Sequence, residues 1–393
     1  MQERLPTLFI IPMIHIIMGI ILFIALLNGQ RDLIMLILLI MSVIAGAFIW
    51  GRWGLSQVVC ELTADNTHVF PGEPLTLTFT VENTKSLPIW VRISLSIKEA
   101  LPHAEGKSTL TAEGGLSLFQ KARFKESITP LKRGWHRLGP PRLTTGDLLG
   151  FYTRQKDLSS FIYITVYPKP APITPFFIPK RDFFGVPGKS NLVPDPIYVS
   201  GVRDYQHFHP ARYIHWKASA RRCRLQEKIC EPSERENLLI AIDAAGFAKN
   251  NAADAFECML EIATSLSIHF ADQKWPMGLF TNCILMGGGF QMLPVTAAPN
   301  QLFEILNVFA RMQMESKGAI MEMMHTGLDL CPGVSCIYFT YTPDDAVMEA
   351  EDFFEQRGVP MTCVAGKVDS TAGGQNTDVM RSHIYSMEDI LNP

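Results

Sequence analysis

Only four charged side chains, Glu3, Arg4, Arg31 and Asp32, fall between Met1 and Trp50, and they frame two uncharged apolar runs. Leu5 to Leu27 and Leu33 to Trp50 are both near the length, about 20 residues, that spans a hydrocarbon core of roughly 30 Å. In hydrocarbon such a run must be helical, because only a helix satisfies its own backbone donors and acceptors. The sequence therefore predicts a transmembrane helical hairpin over residues 1–53, with spans at 5–27 and 33–50. Asn28 to Asp32 would form the polar turn, and Trp50 and Trp53 would flank Arg52 as an interfacial anchor. A cleaved signal peptide fits less well: the first run is long for an h-region and a second run follows at once. Arg4 and Arg52 lie on one side and Arg31 on the other, so the charge bias predicts a main body in the cytoplasm.

The rest of the chain has an ordinary charge density. The whole carries 35 Lys+Arg against 38 Asp+Glu, a net charge of −3. That balance disfavours a nucleic-acid binder, because no strong overall positive field is available to attract a polyanion. Eight cysteines show no CxxC pair and no zinc-finger spacing, and several sit in apolar runs, as reduced buried thiols do.

Residues 58–168 read as short strands separated by turns. Leu75 to Val81 alternates apolar and hydroxyl side chains between Pro71-Gly72-Glu73-Pro74 and Glu82-Asn83-Thr84, and Trp90 to Ile97 alternates again. This pattern predicts an all-β, antiparallel immunoglobulin-like sandwich. Residues 169–236 begin with a Pro-rich connector that cannot form a helix or a central strand. From Asn237 the rhythm changes. Leu238 to Asp243 is an apolar run ending in Asp, Asn251 to Gln273 has one apolar helical face, and strands and helices then alternate to Ala365. Residues 237–393 are therefore expected to form a doubly wound α/β domain.

Val202-Arg-Asp-Tyr205 and Tyr213-Ile-His-Trp-Lys-Ala-Ser-Ala-Arg221 are dense in contact groups. With Lys132 to Pro140, Thr144 to Phe151 and the hydrophobic N-terminal pair, they make the chain resemble the domain of unknown function 58 family along almost its whole length. The resemblance implies a protein of the bacterial inner (cytoplasmic) membrane. Its expected architecture is two N-terminal transmembrane helices, an all-β immunoglobulin-like sandwich and an α/β von Willebrand A-like (Rossmann-type) domain. It also implies association with an AAA+ ATPase of the MoxR type in assembly or maturation of other proteins. A von Willebrand A-like domain usually holds a divalent cation with an Asp-x-Ser-x-Ser loop. Here that loop is Asp243-Ala244-Ala245-Gly246-Phe247, so Ala245 and Phe247 stand where the hydroxyls would be.

One carboxylate without supporting oxygens is a poor Mg²⁺ site, even with Asp344 and Asp345 expected at the same sheet edge. Asp243 accepting nearby amides is the favoured reading, and no cofactor is expected. His207, His209 and His215 lack a ligand set for zinc. Gly287-Gly-Gly289 has no following Lys-Ser/Thr, so it reads as a hairpin turn and not a phosphate loop. Arg203, Tyr205, His215, Trp216, Lys217, Ser219 and Arg221 are read as structural, with Trp216 buried against a sheet and Arg203, Lys217 and Arg221 pairing internally. A docking surface is the alternative, because Trp, Tyr and Arg anchor interfaces. The function expected is a membrane-anchored, non-enzymatic scaffold or adaptor binding a protein partner. The rivals are a metal-dependent hydrolase or transferase using Asp243, Asp344 or Asp345, and an envelope structural or adhesion module.

Overall fold

The computed structural model describes residues 10–53, 58–97, 101–146, 153–173, 199–206, 211–230, 237–289, 291–327, 333–367 and 383–391. The chain divides into a unit Met1–Lys169 and a unit Pro170–Pro393.

The first unit opens with α1 (Ile10–Leu27) and α2 (Arg31–Trp53). The chain reverses at Asn28-Gly29, where Gly29 takes φ 62° and the Asn28 side chain donates to the Ile24 carbonyl at 2.9 Å. Arg31 and Asp32 belong to the first turn of α2 and not to the connecting turn. Ala25 and Ile37 are buried, while Ile16, Phe23, Leu27 and Met35 are exposed. α1 has 18 residues, about 27 Å at 1.5 Å per residue. α2 has 23 residues but includes Arg31, Asp32 and Arg52. Among the described residues, no helix is long and apolar enough to cross a membrane. This finding overturns the transmembrane spans expected at 5–27 and 33–50, and with them the inner-membrane location. Residues 5–9 of the first run lie outside the described residues, and the second helix takes in charges at its ends.

The strands that follow are β1 (Val58–Ala64), β2 (His68–Val69), β3 (Leu75–Asn83), β4 (Ile89–Ser96), β5 (Thr109–Leu116), β6 (Lys121–Ile128), β7 (Gly134–Leu138), β8 (Arg142–Gly146), β9 (Thr153–Asp157) and β10 (Ile162–Val166). They form three sheets, ordered β1-β3-β6, β5-β4-β8-β9 and β2-β10-β7. The arrangement is not purely antiparallel, since β10 runs parallel to β2. Leu75, Leu77, Phe79 and Val81 of β3 share one apolar core with Ile89, Val91, Ile93 and Leu95 of β4. Each such side chain contributes about 1.5–3 kcal/mol on burial. β9 is exposed along its length, and Arg154, Lys156 and Asp157 blunt that edge against further pairing.

The second unit contains β11 (Val199–Asp204), α3 (Trp216–Arg222), β12 (Gln226–Cys230), β13 (Asn237–Ile242), α4 (Ala245–Lys249), α5 (Ala253–Asp272), β14 (Met277–Thr281), β15 (Cys283–Leu285), β16 (Met292–Thr296), α6 (Gln301–Arg311), β17 (Met312–Ser316), α7 (Ile320–Gly327), β18 (Val334–Thr340), α8 (Asp345–Gln356), β19 (Met361–Ala365), β20 (His383–Ser386) and α9 (Met387–Leu391). Its six-stranded sheet is ordered β16-β14-β13-β18-β19-β20. β16 is antiparallel to β14, and every other pair is parallel. Leu239 and Ala241 of β13 join a core with Tyr338, Val347, Phe353 and Phe354 on one face. Leu238, Ile240 and Ile242 alternate to the other face and are equally buried. The mostly parallel sheet is thus covered on both sides, as its continuous apolar strands require.

Strand order reverses between β13 and β18, which makes their carboxyl ends the switch point where ligands gather in open α/β sheets. The glycine turn after β15 does not close a simple hairpin. β15 leaves to pair with β17, while β16 returns to β14. Gly287 and Gly288 adopt φ 73° and 75°, and Arg311 Nε holds the turn through the Met286 carbonyl at 2.8 Å.

Candidate functional site

Asp243 lies just past β13, 6% exposed, at the switch point. Its Oδ1 accepts the Ala245 amide at 2.9 Å and the Asn282 side-chain amide at 2.8 Å. Its Oδ2 accepts the Tyr338 hydroxyl at 3.4 Å. Asn282 extends the network: its Oδ1 accepts the Ala244 amide at 2.8 Å, and its Nδ2 also donates to the Gly318 carbonyl at 3.1 Å. One carboxylate and one carboxamide therefore tie together the ends of β13 and β14, the segment before α7, and β18. Burial, and then the Asp243 charge, hold the Tyr338 phenol well above its usual value, so it remains a donor.

Asp344, at the N-cap of α8, has its carboxyl raised above the usual carboxylate value, first by desolvation and then by the Asp243 charge. Asp345 is the first residue of α8 and is exposed. Phe247 is fully buried against Phe256 and Tyr341, with ring centroids 5.5 Å apart in each pair. The residue standing in place of an expected hydroxyl thus serves the core. Among the described residues, no group of three or more His, Cys, Asp or Glu side chains is placed to hold a metal ion. Chemically, the rim is a closed hydrogen-bonded clasp. Asn282 and Tyr338 were not anticipated from the sequence, although Asn282 sits one residue beyond a strand, as Asp243 does.

The second candidate region is the β11–β12 hairpin with α3 against it. Arg203 and Glu227 are direct cross-strand partners and form an ion pair in which the Glu227 side chain is only 2% exposed. Next to them the Gln226 side chain donates to Asp204 Oδ1. Tyr205, just past β11, donates its amide to the Leu225 carbonyl at 2.9 Å. His215 is the N-cap of α3, and its Nδ1 accepts the Ala218 amide at 3.1 Å. That bond makes Nδ1 an acceptor and leaves the ring proton on Nε2. Ser219 is the buried residue of the helix. Its Oγ accepts the Gln226 amide at 2.8 Å and donates to the His215 carbonyl at 3.0 Å.

These bonds set the phase of α3. Lys217 and Arg221, spaced i and i+4, lie roughly opposite the Ser219 side and are exposed. Trp216 is 69% exposed. The expectation that Trp216 packs against a sheet is therefore wrong, and so is internal pairing for Lys217 and Arg221, which make no ion pair among the described residues. Only Arg203 pairs as expected. The physical reason is length: a seven-residue helix presents one narrow inward strip, and the small Ser219 fills it. His207 and His209 lie outside the described residues.

No family model matches the chain. It is 28% identical over 210 residues to the uncharacterized protein YeaD of Bacillus subtilis (strain 168), a match covering 51% of this chain and 50% of that protein. The chain thus spans about half the length of the curated relative it matches. Among solved structures, the CARDB domain of the PF1109 protein from Pyrococcus furiosus aligns with a TM-score of 0.20 and 13% identity, over 28% of this chain and 92% of that one. The alkylpurine DNA glycosylase AlkC of Pseudomonas fluorescens gives 0.19 and 13%, over 28% of this chain and 30% of its own. Similarities that low say nothing about fold or function.

Proposed function

We propose that this chain is a non-enzymatic scaffold or adaptor that binds a protein partner through the outer face of α3. The observation that carries the reading is Trp216, 69% exposed on a helix whose other contacts are all satisfied inward. Covering such a ring removes roughly 150 Å² from water, about 4 kcal/mol before the costs of association. The switch-point rim supports the same reading from the other side, because its carboxylate is already occupied by three donors.

The resemblance to the domain of unknown function 58 family adds a partner class, an AAA+ ATPase of the MoxR type. Part of the motif that carries the resemblance lies in β11 and α3. A pull-down with tagged full-length chain tests the reading. Recovery of such an ATPase by the parent chain, and its loss with Trp216→Ala, is the expected result. Equal recovery by both would overturn the role of α3, and recovery of no ATPase by either would overturn the partner class.

A further inference from the structure

We propose that the partner docks an acidic segment onto α3, with carboxylates on Lys217 and Arg221 and an apolar side chain over Trp216. The proposal rests on the adaptor reading and states the chemistry of the segment that the surface takes.

Residues 216–225 carry four cations, Lys217, Arg221, Arg222 and Arg224, and no carboxylate. All four are exposed, as are Trp216 at 69% and Leu225 at 45%. Of the four, Arg222 is tied to the hairpin, donating to Gln226 Oε1 at 3.2 Å. Lys217, Arg221 and Arg224 have no ion pair among the described residues. Among the described residues, the two acids of the hairpin beside them are bonded within it, Glu227 in an ion pair with Arg203 and Asp204 accepting from Gln226. Like-charged groups in that density repel one another, and a negative partner relieves the repulsion.

A protein segment fits better than a polyanion. The surface is a helix of seven residues on a chain with a net charge of −3. Such a short basic stretch matches a short acidic segment better than the long track of phosphates or lipid headgroups that a polyanion or bilayer presents. An exposed Trp beside cations also matches an acidic amphipathic peptide, which supplies carboxylates and an apolar side chain together.

The test uses full-length protein and a labelled synthetic peptide of residues Asp345–Gln356, which has five carboxylates, two Phe and no cation. Fluorescence anisotropy is expected to show saturable binding that weakens at least tenfold between 50 and 500 mM salt. The double variant Lys217→Glu/Arg221→Glu should weaken it at least tenfold more, and Trp216→Ala about tenfold. Trp216→Phe should stay within about threefold of the parent. Binding unaffected by these changes, or tighter binding of a single-stranded oligonucleotide or of anionic vesicles, overturns the proposal. A photo-crosslinking phenyl ketone side chain placed at Ala220 separates the two readings. A covalent link to a partner segment lacking Asp and Glu sinks the acidic segment and leaves the adaptor standing. The absence of both a link and peptide binding sinks both.

Discussion

The switch-point rim and the α3 hairpin are both rich in polar side chains, and they dispose of them in opposite ways. At the rim, Asp243, Asn282 and Tyr338 satisfy each other and the backbone around them. On α3 the inward groups are equally satisfied, but Lys217, Arg221 and Trp216 face outward. The difference teaches that a polar cluster at a favoured ligand position is not thereby a site. What separates the two is whether the hydrogen-bonding and apolar capacity is already used within the chain.

Substitutions should therefore separate stability from binding, and Asp243→Ala is expected to act most strongly. It strands the Asn282 amide, the Tyr338 hydroxyl and the Ala245 amide in a buried place, and should cost about 3–5 kcal/mol by urea unfolding. A loss under 1 kcal/mol would mean that the clasp is not structural. Arg203→Ala comes next. It leaves the Glu227 carboxylate buried beside a lost cation, and about 2 kcal/mol is expected, reduced from the fully buried case because Arg203 is half exposed. Ser219→Ala removes the acceptor for the Gln226 amide, and should lower the thermal midpoint by the equivalent of about 1–2 kcal/mol.

Trp216→Ala and Lys217→Ala should change stability by less than about 0.5 kcal/mol while weakening partner binding. A large stability loss at Trp216 would erase the contrast between the two regions. The smallest expected effect is on pH dependence. The folded chain holds the Asp344 proton more tightly than the unfolded chain does. That carboxyl therefore subtracts stability as pH rises from its ordinary value through its raised folded one, and the penalty is complete above both. Asp344→Asn should flatten that part of the acid limb in a pH series of unfolding curves. An unchanged slope would show that neither burial nor the Asp243 charge raises that carboxyl.

Much of the element pattern was legible in the residues. The alternation from Leu75 to Val81 lies in β3, where each apolar residue points inward. The run ending at Asp243 is β13, and the apolar spacing of 251–273 is α5 with Phe256, Met259, Leu260 and Phe270 buried. Periodicity works there because burial on one face imposes it directly. It failed at the N-terminus, where two uncharged runs were read as spans although no described helix is long and apolar enough to cross a membrane. It also failed at β15, whose three residues are too few to show a period and whose partner β17 lies far along the chain.

The chain's order of residues by itself determined local conformation, the absence of hydroxyls after Asp243 and the crowding of cations between Trp216 and Leu225. These are properties of neighbours along the backbone, and they need no fold to be seen. Only the tertiary structure decided that Asn282, 39 residues away, saturates Asp243, and that Ser219 and not Trp216 is the inward residue of α3. Both outcomes depend on which distant strand supplies the complementary group. Hydrogen bonds are short and directional, so the pairing of remote segments, and not the identity of either residue, settles which side chains are consumed and which remain exposed.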